Sequence, residues 1–340
     1  MTNKSIAMAL GIAATTCSLL FLLARDDKEV ILPTGVEHYA PAPEQAEASF
    51  QQLVALSNYT FEFTELEQTP ISTRIAEPDL EWLLAHEDAI KHNFNIFRQA
   101  VPDLRQLLKF DAIGDTTSSY ANKLFKFTTL AEGIHSVCLY SQLAVAQGWG
   151  EKGLVELTLL DQILAKWLKH TRPQLHTLYT IAGLMELHAT YMIIVPKLSS
   201  GDLAILTEGL ARDIDFLGAV ERSLYVEYCF AASELDKLLK DQGSLLKPLL
   251  FSRNETLNVY GQFLLEQIKL FKAQRWEAAA ANQAELGQQL DQWRLFNAGG
   301  WKFLAIAIPA TTFPARKATE CARDRTELLH LIVSQNTPGF

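Results

Sequence analysis

The chain is poor in the signatures that betray chemistry. It has no Gly-x-Ser-x-Gly, no His-Glu-x-x-His, no Walker loop and no dinucleotide fingerprint, so the common routes to acyl transfer, zinc proteolysis, nucleotide hydrolysis and hydride transfer have no motif here. Cysteine is scarce. Of the 4 in 340 residues, Cys17 lies in an apolar run, and Cys138, Cys229 and Cys321 form no CxxC or zinc-type spacing. That excludes a disulfide scaffold. One disulfide among Cys138, Cys229 and Cys321 is open to the chain in an oxidising compartment; the neighbours of Cys138 and Cys229 recur at helical spacing and favour buried free thiols. Basic charge is also short, with 30 Lys and Arg against 39 Asp and Glu, a net of −9. Such a surface repels phosphate backbones, so nucleic acid is not an expected partner. Paired strand patterns are missing throughout, which points to an all-α protein.

What is present begins with Ile6 to Ala24, nineteen consecutive residues without a charge. As a helix they would extend roughly 28 Å, close to the thickness of a bilayer's hydrocarbon core. Lys4 precedes the run, and Arg25, Asp26, Asp27, Lys28 and Glu29 follow it. The positive-inside rule therefore favours, by a small margin, an N-terminus in the cytoplasm. Leu22-Leu23-Ala24 is a poor cleavage site, and Ala14-Thr15-Thr16 before Cys17 lacks a lipoprotein signal's aliphatic residue. An uncleaved anchor is the expectation, with a cleaved signal and a buried helix as alternatives. The organisation read from this is an n-region (1–5), a transmembrane anchor (6–24), a Pro-containing tether (25–48), one helical domain (49–334) and a frayed tail (335–340).

Within the helical domain, Tyr59, Phe61 and Phe63 alternate with polar residues but have no partner run, so they read as an extended connection. Pro78 suits the first turn of a helix reaching Phe97, with Pro102 as an interruption before Leu107. Asn122 to Gln147 carries Phe127, Leu130, Ile134, Val137, Cys138, Ser141 and Val145 on one stripe. Glu151 to Lys169 turns Leu154, Leu157, Leu160, Ile163, Leu164 and Trp167 inward. Pro173 opens a helix as far as Pro196, and Ile214 to Lys240 forms a long one. Ser199 with Asp202, and Ser252 with Glu255, fit capping boxes. Asn297-Ala298-Gly299-Gly300 reads as a helix end. Trp301 to Ile308 is apolar enough for a central core helix, and a last amphipathic helix runs from Pro314 to Ser334.

Gln147-Gly148-Trp149-Gly150-Glu151-Lys152-Gly153-Leu154 resembles the turn of a tetratricopeptide-type hairpin. Ser141 and Gly153 occupy the small sites of the two helices, and Leu157 and Leu160 follow at the packing offsets. Ala165 stands where that family has proline, and no second copy follows at a period of about 34 residues. More broadly the arrangement is similar to a set of bacterial single-pass envelope proteins, through Leu143 to Leu164, Asn254 to Tyr260 and Asn297 to Pro309. That resemblance implies an inner-membrane anchor with a periplasmic helical domain, and it implies no activity.

Candidate chemistry is sparse. Glu132/His135 and Glu327/His330 have the Glu-x-x-His spacing of di-iron bundles, but at 100° per residue both pairs fall off the apolar stripes and are expected in solvent. Glu186 and His188, with Tyr191 nearby, are the candidate acid–base pair of a periplasmic hydrolase; the plainer reading is one core histidine and one outer carboxylate. His170 and His176 flank a loop with no evident third ligand. Ser244-Leu245-Leu246-Lys247 matches Ser-x-x-Lys without its companion motifs. Arg316, Lys317, Glu320, Arg323, Asp324, Arg325 and Glu327 read as a solvated face. No metal or cofactor is expected. The leading expectation is a membrane-anchored scaffold that binds another envelope protein, with Trp149, Trp167 and Tyr179 forming the wall of its groove. The alternatives are the hydrolase and a helical binder of an apolar ligand.

Overall fold

The computed structural model describes residues 30, 48–49, 52–53, 59–62, 78–113, 127–171, 174–211, 213–241, 252–291, 298–307 and 311–336. The anchor read at Ile6–Ala24, nearly all of the tether and Ser244–Lys247 lie outside the described residues. Those residues contain eleven α-helices, one short 3-10 turn and no β-strand, in accord with the all-α reading. The chain divides into two compact units, one of residues 40–223 with 314–340 and a smaller one of residues 1–39 with 224–313.

The larger unit contains α1 (Leu80–Ala85), α2 (Glu87–Leu107), α3 (Phe127–Ala146), α4 (Glu151–His170) and α5 (Gln174–Ile194). It continues with the 3-10 turn Val195–Lys197, α6 (Ser200–Gly209), the first turns of α7 (Phe216–Asp241) and nearly all of α11 (Thr312–Asn336). Asp79 caps α1 by accepting a hydrogen bond from the Trp82 N–H, so the start lies at Asp79 rather than in a turn begun by Pro78. The break comes at His86, and α2 runs on through Pro102. Pro102 is exposed, so the carbonyl it leaves without a donor faces water and the helix survives. Residues 59–62 form neither helix nor strand, and Asn93 grips them: its Oδ1 accepts from the Glu62 N–H and its Nδ2 donates to the Glu62 carbonyl, both at 2.8 Å. Phe61 packs on the apolar cluster of Leu83, Ile90, Leu139 and Leu143.

Helices α3, α4 and α5 pack on one another as the heart of this unit. Gly148, at φ 77°, ends α3. The Trp149 N–H donates to the Ala144 carbonyl and the Gly148 N–H to Val145, a Schellman motif that turns the chain back. Ser141 Oγ, whose proton goes to the Val137 carbonyl at 2.7 Å, lies 3.2 Å from the Gly153 carbonyl, an approach of the two helices that only a residue without Cβ allows. All three helices bury polar residues as well as apolar ones. Ser136, Ser141, Thr158 and Thr180 satisfy their hydroxyls on the carbonyl four residues earlier, which lets a helix face be polar in composition and dry in practice. Ser199 and Asp202 form the expected capping box at α6.

The smaller unit holds the rest of α7 with α8 (Arg253–Lys272), α9 (Trp276–Asp291) and α10 (Ala298–Ala307). Its core is built from Tyr228, Leu235, Leu257, Tyr260, Leu264, Phe271 and Leu304. Gln267 donates to the Ala279 carbonyl at 2.9 Å across the α8–α9 hairpin. Arg253 clasps Asp236 through Nε and Nη2 at 2.5 and 3.1 Å. Ser252 is the N-cap of α8, but its side chain makes no cap bond. Residues 298–300, read from sequence as a helix end, are instead the first turn of α10. Within that apolar run Leu304 is buried while Lys302 and Ala305 are exposed, so one side of it packs. At the other end of the chain α11 reaches Asn336, two residues into the stretch read as a tail.

One helix among the described residues, Gln174–Lys197, is long and apolar enough to cross a membrane, with 56% of its most apolar window buried in the protein. It is α5 with the 3-10 turn, enclosed by α3 and α4 and carrying buried His176 and His188. Its apolarity is that of a core helix wrapped on several sides.

Candidate functional site

A buried polar cluster in the larger unit joins α4, α5 and α11. Asp161 and His188 are fully buried, Cys321 likewise, and Arg325 is 4% exposed. Arg325 Nη1 donates to Asp161 Oδ2 at 2.5 Å and Nη2 donates to Asp161 Oδ1 at 2.9 Å, a two-pronged pair. Nη2 also donates to the Ala211 carbonyl, while the Ala211 N–H donates to Asp161 Oδ1 at 3.0 Å. Nη1 meets His188 Nε2 at 3.1 Å, and His188 Nδ1 lies 3.6 Å from Cys321 Sγ. Tyr191 sits one turn along α5 with its buried hydroxyl lacking a hydrogen-bond partner among the described residues.

This geometry fixes protonation. A guanidinium only donates, so His188 Nε2 must accept and the ring proton sits on Nδ1, pointing at Cys321. Burial, and then the guanidinium charge, push the His188 pKa down to about 3, so the ring is neutral. Burial lifts the Cys321 thiol well above its ordinary range. Burial also raises the Asp161 carboxyl, while Arg325 and the Ala211 N–H pull it back. A base for the thiol needs a free ring nitrogen facing it, and Nδ1 is occupied by its own proton. The cluster is therefore a lock between helices, not a poised nucleophile.

The sequence pairing of Glu186 with His188 is undone by helical geometry. Two residues span about 200° of turn, so His188 enters the core while Glu186 faces α3, where its Oε1 lies 2.6 Å from His135 Nδ1. His135 is thus buried and partnered, not solvated as the stripe argument predicts. Glu327 and His330 are exposed as expected. Among the described residues no three His, Cys, Asp or Glu side chains gather as metal ligands. Cys138 and Cys321 are buried free thiols, whereas Cys229, expected to be buried, is exposed.

The proposed aromatic wall is divided. Trp167 is fully buried and its ring neighbours His176, so it belongs to the core. Trp149 and Tyr179 are 46% and 40% exposed. Tyr179 stacks on Phe127 at 3.9 Å, and Trp149 receives Lys91 and Lys152 over its ring at 5.6 and 5.0 Å. Trp149 precedes α4 and Trp167 occupies its last turn, roughly 27 Å apart along the axis. Tyr179 lies at the Trp167 end of the antiparallel α4–α5 pair.

Near the Trp149 end an open groove of about 460 Å³ runs between α1, α3 and α5. Leu80, Leu83, Val145, Ala146, Ile193 and Ile194 make it apolar, and Gln142, Asp79 and Lys197 are its polar residues. Leu80 is 51% exposed, and Leu84 and Met192 are exposed on the flanking helices. The Gln142 Oε1 is buried with no hydrogen-bond partner among the described residues.

Sequence inspection missed Asp161 and Arg325, although a signal existed. Asp161 lies four residues after Leu157 and three before Leu164, on the apolar stripe of α4. Arg325 holds the same position between Cys321 and Leu328 on α11, where it had been counted with a solvated face. A charge on an apolar stripe needs a partner. The chain matches no protein-family model, and neither a curated protein nor a solved structure shows detectable likeness to it.

Proposed function

We propose that the chain is a non-enzymatic scaffold of the bacterial inner membrane, anchored through Ile6–Ala24 with its helical part in the periplasm, where it docks another envelope protein. The observation that carries the docking part is the groove between α1, α3 and α5, with Trp149 exposed near it. Open apolar side chains of this size, grouped at one end of a helical layer, favour association with a partner. The locked state of the Asp161–Arg325–His188–Cys321 cluster weighs against the hydrolase alternative, as does the divergence of Glu186 from His188. The α3–α4 turn and its close Ser141–Gly153 packing support a tetratricopeptide-like hairpin as the docking element. The anchor rests on the length and apolarity of Ile6–Ala24.

The test is site-specific photo-crosslinking in intact cells. A benzophenone residue at Trp149 or Leu80 is expected to give one discrete adduct, and the same residue at exposed Val333 is expected to give none. Equal labelling from all three positions, or none from any, overturns the scaffold reading. A periplasm-dependent phosphatase fused after Phe340 is expected to be active; an inactive fusion overturns the placement.

A further inference from the structure

We propose that the groove between α1, α3 and α5 takes one extended peptide segment of the partner, held by the Gln142 carboxamide. This rests on the scaffold reading and names the shape and chemistry of what docks.

The inference starts from an imbalance. Gln142 is nine-tenths buried on α3 and lines the groove among mostly apolar side chains, yet its Oε1 has no hydrogen-bond partner among the described residues. A buried carboxamide oxygen without a donor is costly, and it is tolerated where something else supplies the donor. A carboxamide offers an acceptor and a donor side by side. One backbone residue in extended conformation presents the matching pair, its own N–H and C=O pointing the same way.

The same unit contains that arrangement already satisfied. Asn93 on α2 takes the Glu62 N–H on Oδ1 and gives Nδ2 to the Glu62 carbonyl, each at 2.8 Å. The residue before the gripped one, Phe61, inserts into the apolar cluster that includes Leu83. Leu83 also lines the groove beside Gln142. The protein thus holds one segment with an amide on one helix and an apolar socket beside it, and the groove presents the same two parts in Gln142 and Leu83.

The apolar socket narrows the occupant: the fitting segment has an apolar residue directly before the gripped one, as Phe61 stands before Glu62.

The experiment pans a random octapeptide phage library against the full chain in detergent micelles. Enriched peptides are then synthesised and assayed on the wild type and on Gln142→Leu. We expect enrichment of an apolar residue at one fixed position, and at least tenfold weaker binding to Gln142→Leu. Methylating the backbone nitrogen at one position, and at that position alone, is expected to cost as much; this readout does not depend on whether the variant folds. Failure to enrich any binder overturns the proposal, as does binding indifferent to both Gln142→Leu and backbone methylation. Binders whose alanine scan shows an i, i+3, i+4 pattern overturn it too, because they dock as helices. A Trp149 crosslink without such a peptide leaves the scaffold and removes the clamp; loss of both removes the scaffold.

Discussion

Arg325→Met tests the buried lock most sharply. The change keeps much of the side-chain volume and deletes every donor that Arg325 presents to Asp161, His188 and Ala211. Asp161 is then a fully buried carboxylate with one remaining donor, the Ala211 N–H at 3.0 Å. Removing one partner of a buried pair costs about 3–5 kcal/mol, and the stranded His188 Nε2 and Ala211 carbonyl push the loss toward the upper end. Asp161→Leu combined with Arg325→Met removes both charges and should return to within about 2 kcal/mol of the wild type. Hydrogen exchange of α4 and α11 as a function of urea reads the larger unit directly. The single variant also carries a pH signature. Its unpaired carboxyl has a folded pKa above the unfolded value of about 3.9, so the folded form holds the proton more tightly and stability is lost as pH rises. The deficit should therefore shrink between pH 7 and pH 5. A loss of less than about 1 kcal/mol, or a deficit that grows on acidification, refutes the description of Arg325 as a dry, structural charge.

His188 predicts an acid sensitivity of the opposite sign. With a folded pKa of about 3 against an unfolded value near 6.5, its contribution is whole above pH 6.5 and falls as pH drops toward 3, by up to about 1.4 kcal/mol per pH unit. His188→Gln, which still accepts from Arg325, should flatten the urea midpoint between pH 6.5 and 5; an unchanged slope counts against a neutral His188. At the α3–α4 hairpin, a Cβ on Gly153 would meet the Ser141 backbone Cα at 2.7 Å, whereas on Gly183 the nearest atom is the mobile Ile134 Cδ1 at 2.8 Å. Gly153→Ala should cost about 1–3 kcal/mol and Gly183→Ala clearly less in thermal melts; the reverse order would contradict the packing. In a Cys17→Ser background, Cys229 should react with an aromatic disulfide reagent in the folded protein while Cys138 and Cys321 wait for unfolding. Rapid modification of Cys321 would mean the lock is open to solvent.

The groove and the lock differ in how they could be read beforehand. Trp149 is found by its turn: Gly148 and the Schellman bonds that put it outside are local, so its exposure follows from chain order. Trp167 has the same aromatic character, yet it is core, because its fate depends on which helices cover the last turn of α4. Gln142 sits on α3 among apolar neighbours and gives no sign in sequence that it lines an opening rather than a packed seam. Glu186 and His188 looked like a pair because they are close in number, and a helix sends such neighbours to different sides.

Local chemistry decided a great deal by itself. Apolar spacing of 3.6 residues, Gly148, the Ser199–Asp202 box and the scarcity of strand patterns were sufficient for the all-α class and for most helix positions, since each acts within a few residues of chain. Tertiary packing alone decided which charges are dry. Asp161 and Arg325 are 164 residues apart, and no local rule says that α4 and α11 will meet. The pair exists because the Arg325 side chain reaches Asp161 from α11, and each charge, placed on an apolar stripe, needs a partner once it is dry.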